Sequence, residues 1–140
     1  MMLYLDNDVL AKFARADPDP AVVRYLRERS SEPWAISAIV AYEFVSFYPR
    51  TQRSEKLREL EQNVLNEISP LDTQTSLEAA NLRSLLENAG VSLDTGDLLI
   101  AATARYHGAT LATANKNDFD KQPIRELVDI DIVPTEQSEY

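Results

Sequence analysis

Leu3-Tyr4-Leu5-Asp6-Asn7-Asp8-Val9-Leu10 is the stretch whose reading decides the fold. Three apolar residues run straight into acids, and Val9, Leu10 and Phe13 then recur at helical spacing. The pattern predicts a buried strand over 2–5 and a short helix from Asn7 to Arg15, with Asp6 at the turn between them. In open parallel sheets the functional crevice lies outside the carboxyl ends of the strands, so an acid at this turn stands where ligands bind. The same position also suits a plain helix N-cap, a common task for aspartate.

Outward from that turn, strands and helices alternate. Asp17-Pro18-Asp19-Pro20 breaks the first helix, and Asp19 then caps a second with Pro20 in its first position. That helix carries Val22, Val23 and Leu26 on one face and ends near Ser30-Ser31. Trp34-Ala35-Ile36 reads as a strand. Ser37 caps a helix through Phe47, stopped by Pro49, with Ile39, Val40, Phe44 and Phe47 on its apolar face. An amphipathic helix follows from Arg53 to about Asn66, then a short strand at Glu67-Ile68-Ser69. A helix starting at Thr73 or Thr75 runs to Ala89, with Gly90 placed as a C-terminal glycine. Val91 to Gly96 reads as a loop, Asp97 to His107 as an apolar helix ending at Gly108, and Thr110 to Thr113 as a strand. Ala114 to Lys121 reads as a polar loop and Ile130 to Val133 as a last strand. Such alternation argues for α/β architecture with a mostly parallel sheet. One domain spans 1–134, and 135–140 is expected to be a frayed tail.

Composition narrows the chemistry. The 140 residues suffice for one real core. No apolar run approaches the roughly 18 residues of a membrane span, and no signal-peptide layout opens the chain, so no membrane association and cytoplasmic residence are expected. There is no cysteine and a single histidine, so a metal site here must be built from oxygen, with His107 the one nitrogen candidate. His107 beside Gly108 reads as structural, and Ser37 has no histidine and aspartate company for a triad. The net charge of -9 argues against nonspecific electrostatic binding to nucleic acid. It leaves open a small-molecule or metal site, a basic partner, or a high-salt host.

Four acids stand in positions that ask for an explanation. Asp6 ends a buried strand. Glu43 has Ile39, Val40, Ser46 and Phe47 as helical neighbours, mostly core-facing positions, and a desolvated glutamate costs several kcal/mol unless something pairs with it. Asp97 opens an apolar helix and shares a face with Ile100, Ala101 and Ala104, though it also suits the helix dipole. Asp118 follows the strand at Thr110–Thr113, in a loop that opens at the same sheet edge as Asp6. Asp94, Asn115 and Thr113 lie close by in sequence as auxiliary candidates. Four carboxylates in one cleft repel strongly, and divalent cations are the natural counter-charge. An all-oxygen set with open positions suits Mg²⁺ or Mn²⁺, and such sites clamp the oxygens of a phosphoryl displacement.

The order of these motifs resembles the PIN-domain ribonucleases. The residues that carry the likeness are Leu5-Asp6-Asn7-Asp8-Val9-Leu10, Ser37 with Glu43, Asp97-Leu98-Leu99-Ile100-Ala101-Ala102-Thr103-Ala104, and Leu111-Ala112-Thr113-Ala114-Asn115-Lys116-Asn117-Asp118-Phe119. In size and single compact domain the chain looks most like the VapC toxins of toxin–antitoxin pairs. The resemblance implies a PIN-like three-layer α/β/α fold around a mostly parallel sheet of four to five strands. It implies a Mg²⁺- or Mn²⁺-dependent endoribonuclease acting on RNA, homodimeric and held inactive by a cognate VapB-type antitoxin. Its catalytic and metal-holding acids would be Asp6, Glu43, Asp97 and Asp118, with Asn115 at a family position near the site and Thr113 helping to hold water or phosphate. The family commonly has Thr then Asn after the first aspartate, where this chain has Asn7 and Asp8. Arg15, Arg50, Arg53, Lys116 and Lys121 are candidates for phosphate contact.

Two readings compete. Asp6-x-Asp8 after an apolar strand superficially matches the nucleophile motif of haloacid-dehalogenase-like phosphatases, but the Gly-Thr pair that usually follows is absent. A non-catalytic partner-binding protein could use the amphipathic helix at 53–66 as a docking face.

Overall fold

A computed structural model describes residues 1–136. Five strands form one parallel sheet: β1 (Leu3–Leu5), β2 (Trp34–Ser37), β3 (Glu67–Ser69), β4 (Thr110–Thr113) and β5 (Asp129–Ile132), in the order β3-β2-β1-β4-β5. The chain steps outward from β1 on one side, then returns to continue on the other. β1 and β4 are therefore neighbours at the point where the strand order reverses, in register from Leu3 opposite Thr110 to Leu5 opposite Ala112. A crevice opens beyond the carboxyl ends of such a pair.

Parallel strands need helical crossovers, and their right-handedness sends the two halves of the chain to opposite faces. Helices α1 (Asn7–Ala14), α2 (Pro20–Arg27), α3 (Ala38–Ser46) and α4 (Arg53–Asn63) connect β1, β2 and β3. Helices α5 (Thr73–Asn88), α6 (Thr95–Tyr106), α7 (Lys116–Phe119) and α8 (Gln122–Leu127) serve the other half, with α5 packed along α6 and α8. The sheet between them is apolar on both sides: Leu3, Tyr4, Leu5, Ala35, Ile36, Leu111 and Ala112 are all buried. Each large side chain of this set contributes about 1.5–3 kcal/mol by leaving water.

Local chemistry sets the boundaries. Ser37 accepts the Val40 N–H at 3.2 Å and starts α3. Gly90 and Gly108 follow α5 and α6 with φ of 76° and 63°, left-handed values that close a helix and that β-carbons resist. His107 stacks on the buried Tyr4 ring, centroids 5.5 Å apart, in keeping with a structural role.

The structure corrects several expectations. α6 begins at Thr95, inside the expected loop, so Asp97 stands in its first turn rather than at its start. The polar loop from Ala114 to Lys121 contains α7, and α8 follows it, because Asn115 accepts the Asp118 N–H and Pro123 supports a helix start. Phe47 is 80% exposed, since α3 ends at Ser46 and the chain turns before the helical face could carry it inward. The frayed tail expected over 135–140 lies outside the described residues from 137 onward. Its first two residues are held: Thr135 is buried, and the Glu136 N–H donates to the Asp19 carboxylate at 3.0 Å.

Asp19 is 1% exposed and takes the N–H groups of Ala21, Val22 and Glu136. Asp19→Ala strands these donors, so it should lower unfolding free energy by about 2 kcal/mol in urea titration while leaving divalent-cation affinity unchanged.

Candidate metal centre

Asp6 is the anchor of the site. It lies one residue past β1, 6% exposed, and its backbone is fixed by donation from its N–H to Ala112 O at 2.9 Å. Its carboxylate caps α1 through the Asn7 N–H at 2.8 Å and accepts the Thr113 hydroxyl at 2.7 Å. The cap and the ligand candidate are thus the same group, held between two adjacent strands. Thr113 in turn accepts the Asn115 N–H at 3.1 Å, so the hydroxyl ties Asp6 to the loop beyond β4.

Asp118 reaches the site from α7. The Asn115 side-chain amide donates to its Oδ2 at 2.8 Å, and the Asn115 oxygen accepts the Asp118 N–H. Asp97, in the first turn of α6, interacts with Asp118 and feels the charges of Glu43 and Asp94. Glu43 projects from α3, half-buried, within 4.0 Å of where a β-carbon on Gly96 would lie. That approach links α3 to the start of α6. Asp94 is exposed in front of α6 and makes no side-chain cap. All seven sequence candidates therefore lie along one chain of contacts and charge interactions.

One member was missed. Asp8 accepts the Ala114 N–H at 3.2 Å and interacts with both Asp6 and Glu43, so it belongs to the cluster. In the sequence it appears as a departure from one motif and as the second aspartate of the phosphatase-like Asp6-x-Asp8, never as a metal candidate. Its signal is its place in the first turn of a helix that begins at a strand's carboxyl end. Of the basic candidates, Arg15 and Arg53 are committed to carbonyls of nearby turns, Arg15 to Asp17 and Arg53 to Val45 and Tyr48.

Electrostatics bear on what the cluster does. Burial pushes the Asp6 carboxyl up from its ordinary 3.8 to about 7, helped by the charge of Asp8 and opposed by the Thr113 hydroxyl. Burial, then the charge and hydrogen bond of Asp118, raise Asp97 to about 6. Asp8 and Glu43 are also raised, both chiefly by burial, Glu43 further by Asp8. As placed, no three His, Cys, Asp or Glu among the described residues form a ready-made grip on one ion. The acids instead interact in overlapping pairs. The donor set is nonetheless the one hard cations take: carboxylates only, without nitrogen or sulfur, at an unrelieved surplus of negative charge. Asn7 Oδ1, on the residue after Asp6, is a further oxygen that is buried and lacks a hydrogen-bond donor.

Comparison with known proteins agrees with this geometry. A family model described as PIN domain matches residues 3–124. The chain is 31% identical over 126 residues to toxin FitB of Neisseria gonorrhoeae, covering 84% of this chain and 91% of that protein. It is 29% identical to the VapC ribonuclease Y4jK of Sinorhizobium fredii, covering 85% of this chain and 91% of the other. Among solved structures, VapBC2 from Rickettsia felis, bound to a promoter DNA fragment, superposes with a TM-score of 0.73 at 26% identity, over 94% of this chain and 98% of that one.

The raised carboxyls fix the sign of a pH effect. A group whose pKa rises on folding stabilises the fold below its unfolded pKa, and that stability is lost as pH climbs through the folded value. In chelator, the wild-type protein should therefore lose stability as pH rises through about 6 and about 7. Asp6→Asn keeps the cap and removes the charge, so it should exceed wild type by about 2 kcal/mol at pH 8, the gap closing only as pH falls to about 4, in urea titrations at each pH.

Proposed function

The chain belongs to the PIN-domain family, and from that membership we propose that it is the toxin of a toxin–antitoxin pair, an endoribonuclease that hydrolyses RNA phosphodiester bonds with a divalent cation, Mg²⁺ or Mn²⁺. The observation that carries the proposal is the gathering of Asp6, Asp8, Glu43, Asp97 and Asp118 at the switch point of the parallel sheet. Asp6, Glu43, Asp97 and Asp118 would hold the cation, with Asp94, Asn115 and Thr113 in support. A cation bound there supplies positive charge against the phosphoryl oxygens and acidifies water.

The chain's own residues do the rest. Thr113 and the Asn7 N–H hold the Asp6 carboxylate in one orientation. Asn115 does the same for Asp118, and Asp8 pins Ala114 so that the loop carrying both keeps its distance from β1. A site carboxylate accepts the proton of the attacking water. The phosphatase reading lacks comparable support: both Asp6 oxygens are already engaged, which suits a fixed ligand better than a nucleophile.

Partners follow from the same family argument. FitB is a toxin by name, and the Rickettsia felis structure pairs a VapC with a VapB on DNA. A cognate antitoxin is accordingly proposed here, with a homodimer as the assembled form and the cytoplasm as its place. Among the described residues no helix is long and apolar enough to cross a membrane.

Cleavage of total RNA, with cut sites mapped, tests the function. Chelator should abolish cutting and added Mg²⁺ or Mn²⁺ restore it. Asp6→Asn and Asp97→Asn should each lower kcat/KM at least about a hundredfold while the fold persists by circular dichroism. Full activity of both variants in Mg²⁺ would overturn the proposal.

A further inference from the structure

A nuclease with a net charge of -9 must still hold a polyanion beside its own carboxylates. Where the phosphates flanking the cut would rest is not explained by the acid cluster. We propose that the cavity of about 450 Å³ between the loop after β4 and the exit of β5 is a subsite for the phosphate and sugar of a nucleotide next to the scissile bond, in single-stranded RNA. The proposal deepens the nuclease reading and rests on it.

Position is the first argument. Ala114 is a wall shared by both sites: it lines the cavity, and its N–H donates to Asp8 in the acid cluster. The next two residues divide the work. Asn115 holds Asp118, whereas Lys116 lines the cavity. A strand running through the acid cluster would therefore meet the cavity within a residue's width.

Charge is the second. The lining carries Lys116 and Arg125 against one carboxylate, Asp120. Arg125 is pre-positioned, its Nε donating to Asp120 at 2.7 Å and its Nη1 to Ile130 O at 3.2 Å. Its Nη2 has no protein hydrogen bond among the described residues, which leaves a fixed donor for an oxyanion. Lys116 is exposed and makes no ion pair among the described residues. On a strongly acidic molecule, a local cationic surplus beside the reacting centre is where a phosphate gains most.

Shape is the third. Ile132, Val133 and Pro134 give the cavity an apolar side that suits a sugar or base face, which a single strand presents and a duplex conceals. The volume falls in the lower part of the range of about 300–1,000 Å³ typical of small-ligand sites, enough for one nucleotide. A cavity of about 500 Å³ lined by Trp34, Gln62 and Asn66 offers a contrast: it lies at the amino ends of β2 and β3, away from the acids, and has no lysine or arginine in its lining.

The test uses the full chain, with Lys116→Glu and the conservative Lys116→Arg, and a short single-stranded oligoribonucleotide cut in Mn²⁺. Lys116→Glu should raise KM about tenfold with kcat within about twofold of wild type, and Lys116→Arg should behave as wild type. The dependence of log KM on log salt should flatten by about 0.7 in Lys116→Glu, the share of one phosphate contact on a single strand. Calorimetry with Mn²⁺ alone should give one affinity for all three proteins. An unchanged KM overturns the subsite, and so does a raised KM accompanied by lost Mn²⁺ affinity, which would mean damage to the acid cluster. If wild type cuts no RNA, the nuclease reading fails separately. The subsite is then judged by fluorescence anisotropy of a labelled oligoribonucleotide in chelator, where weaker binding by Lys116→Glu upholds it and equal binding overturns it.

Discussion

Mutual repulsion among the carboxylates around Asp6 is the force the rest of the molecule has to contain. Left alone, acids crowded into a poorly solvated crevice would move apart or take up protons. Burial first, and neighbouring charge for Asp6, Glu43 and Asp97, raises these carboxyls and so favours their protonated forms. The repulsion that remains is met by anchoring. Each acid is carried on a different element, and each element is fixed by something other than the acid: β1 by its register with β4, α3 by the Ser37 cap, α6 by Gly108 and its packing on α5.

Topology makes the convergence possible. In the order β3-β2-β1-β4-β5, the central strand is the first in sequence and lies directly beside the fourth. Acids more than a hundred residues apart, Asp6 and Asp118, therefore end at neighbouring strand ends. The two helices that contribute Glu43 and Asp97 start from the same edge, because a helix following or preceding a parallel strand must run back along the sheet. The site is thus a consequence of strand order, and the hydrogen bonds among Thr113, Asp6, Asn115 and Asp118 trim it into register.

The strands, the helix caps and the long helices were legible because each rests on local signals: apolar runs, Ser and Asp at caps, glycine after helix ends. Two of the acids that the fold brings toward Asp6 were legible for a different reason. A charged residue inside an apolar pattern conflicts with its surroundings, and that conflict marks Glu43 and Asp97 without any structure. Asp8 shows no such conflict, since an acid in a helix's first turn is ordinary, and its membership depends on Ala114 arriving from 106 residues away. The short helices α7 and α8 escaped because four and six residues hold too little periodicity to read. The exposure of Phe47 and the tie between Glu136 and Asp19 are likewise tertiary facts, fixed by where a helix stops and by which distant donor finds a buried carboxylate.

Overall acidity and RNA cleavage are compatible once charge is considered locally. Much of the basic complement is spent on the fold: Arg29 on Tyr25 and Asp131, Arg105 on Glu78, Arg83 on Glu87. What counts for a phosphodiester is the field within a Debye length of the reacting bond, about 8 Å at physiological salt. Within that range the carboxylates are the dominant charges, and a bound cation would convert them from a barrier into the main source of attraction. Substrate and cation are then coupled through the same acids. The acidity that discourages indiscriminate binding elsewhere on the surface would confine productive binding to the crevice where a cation would sit.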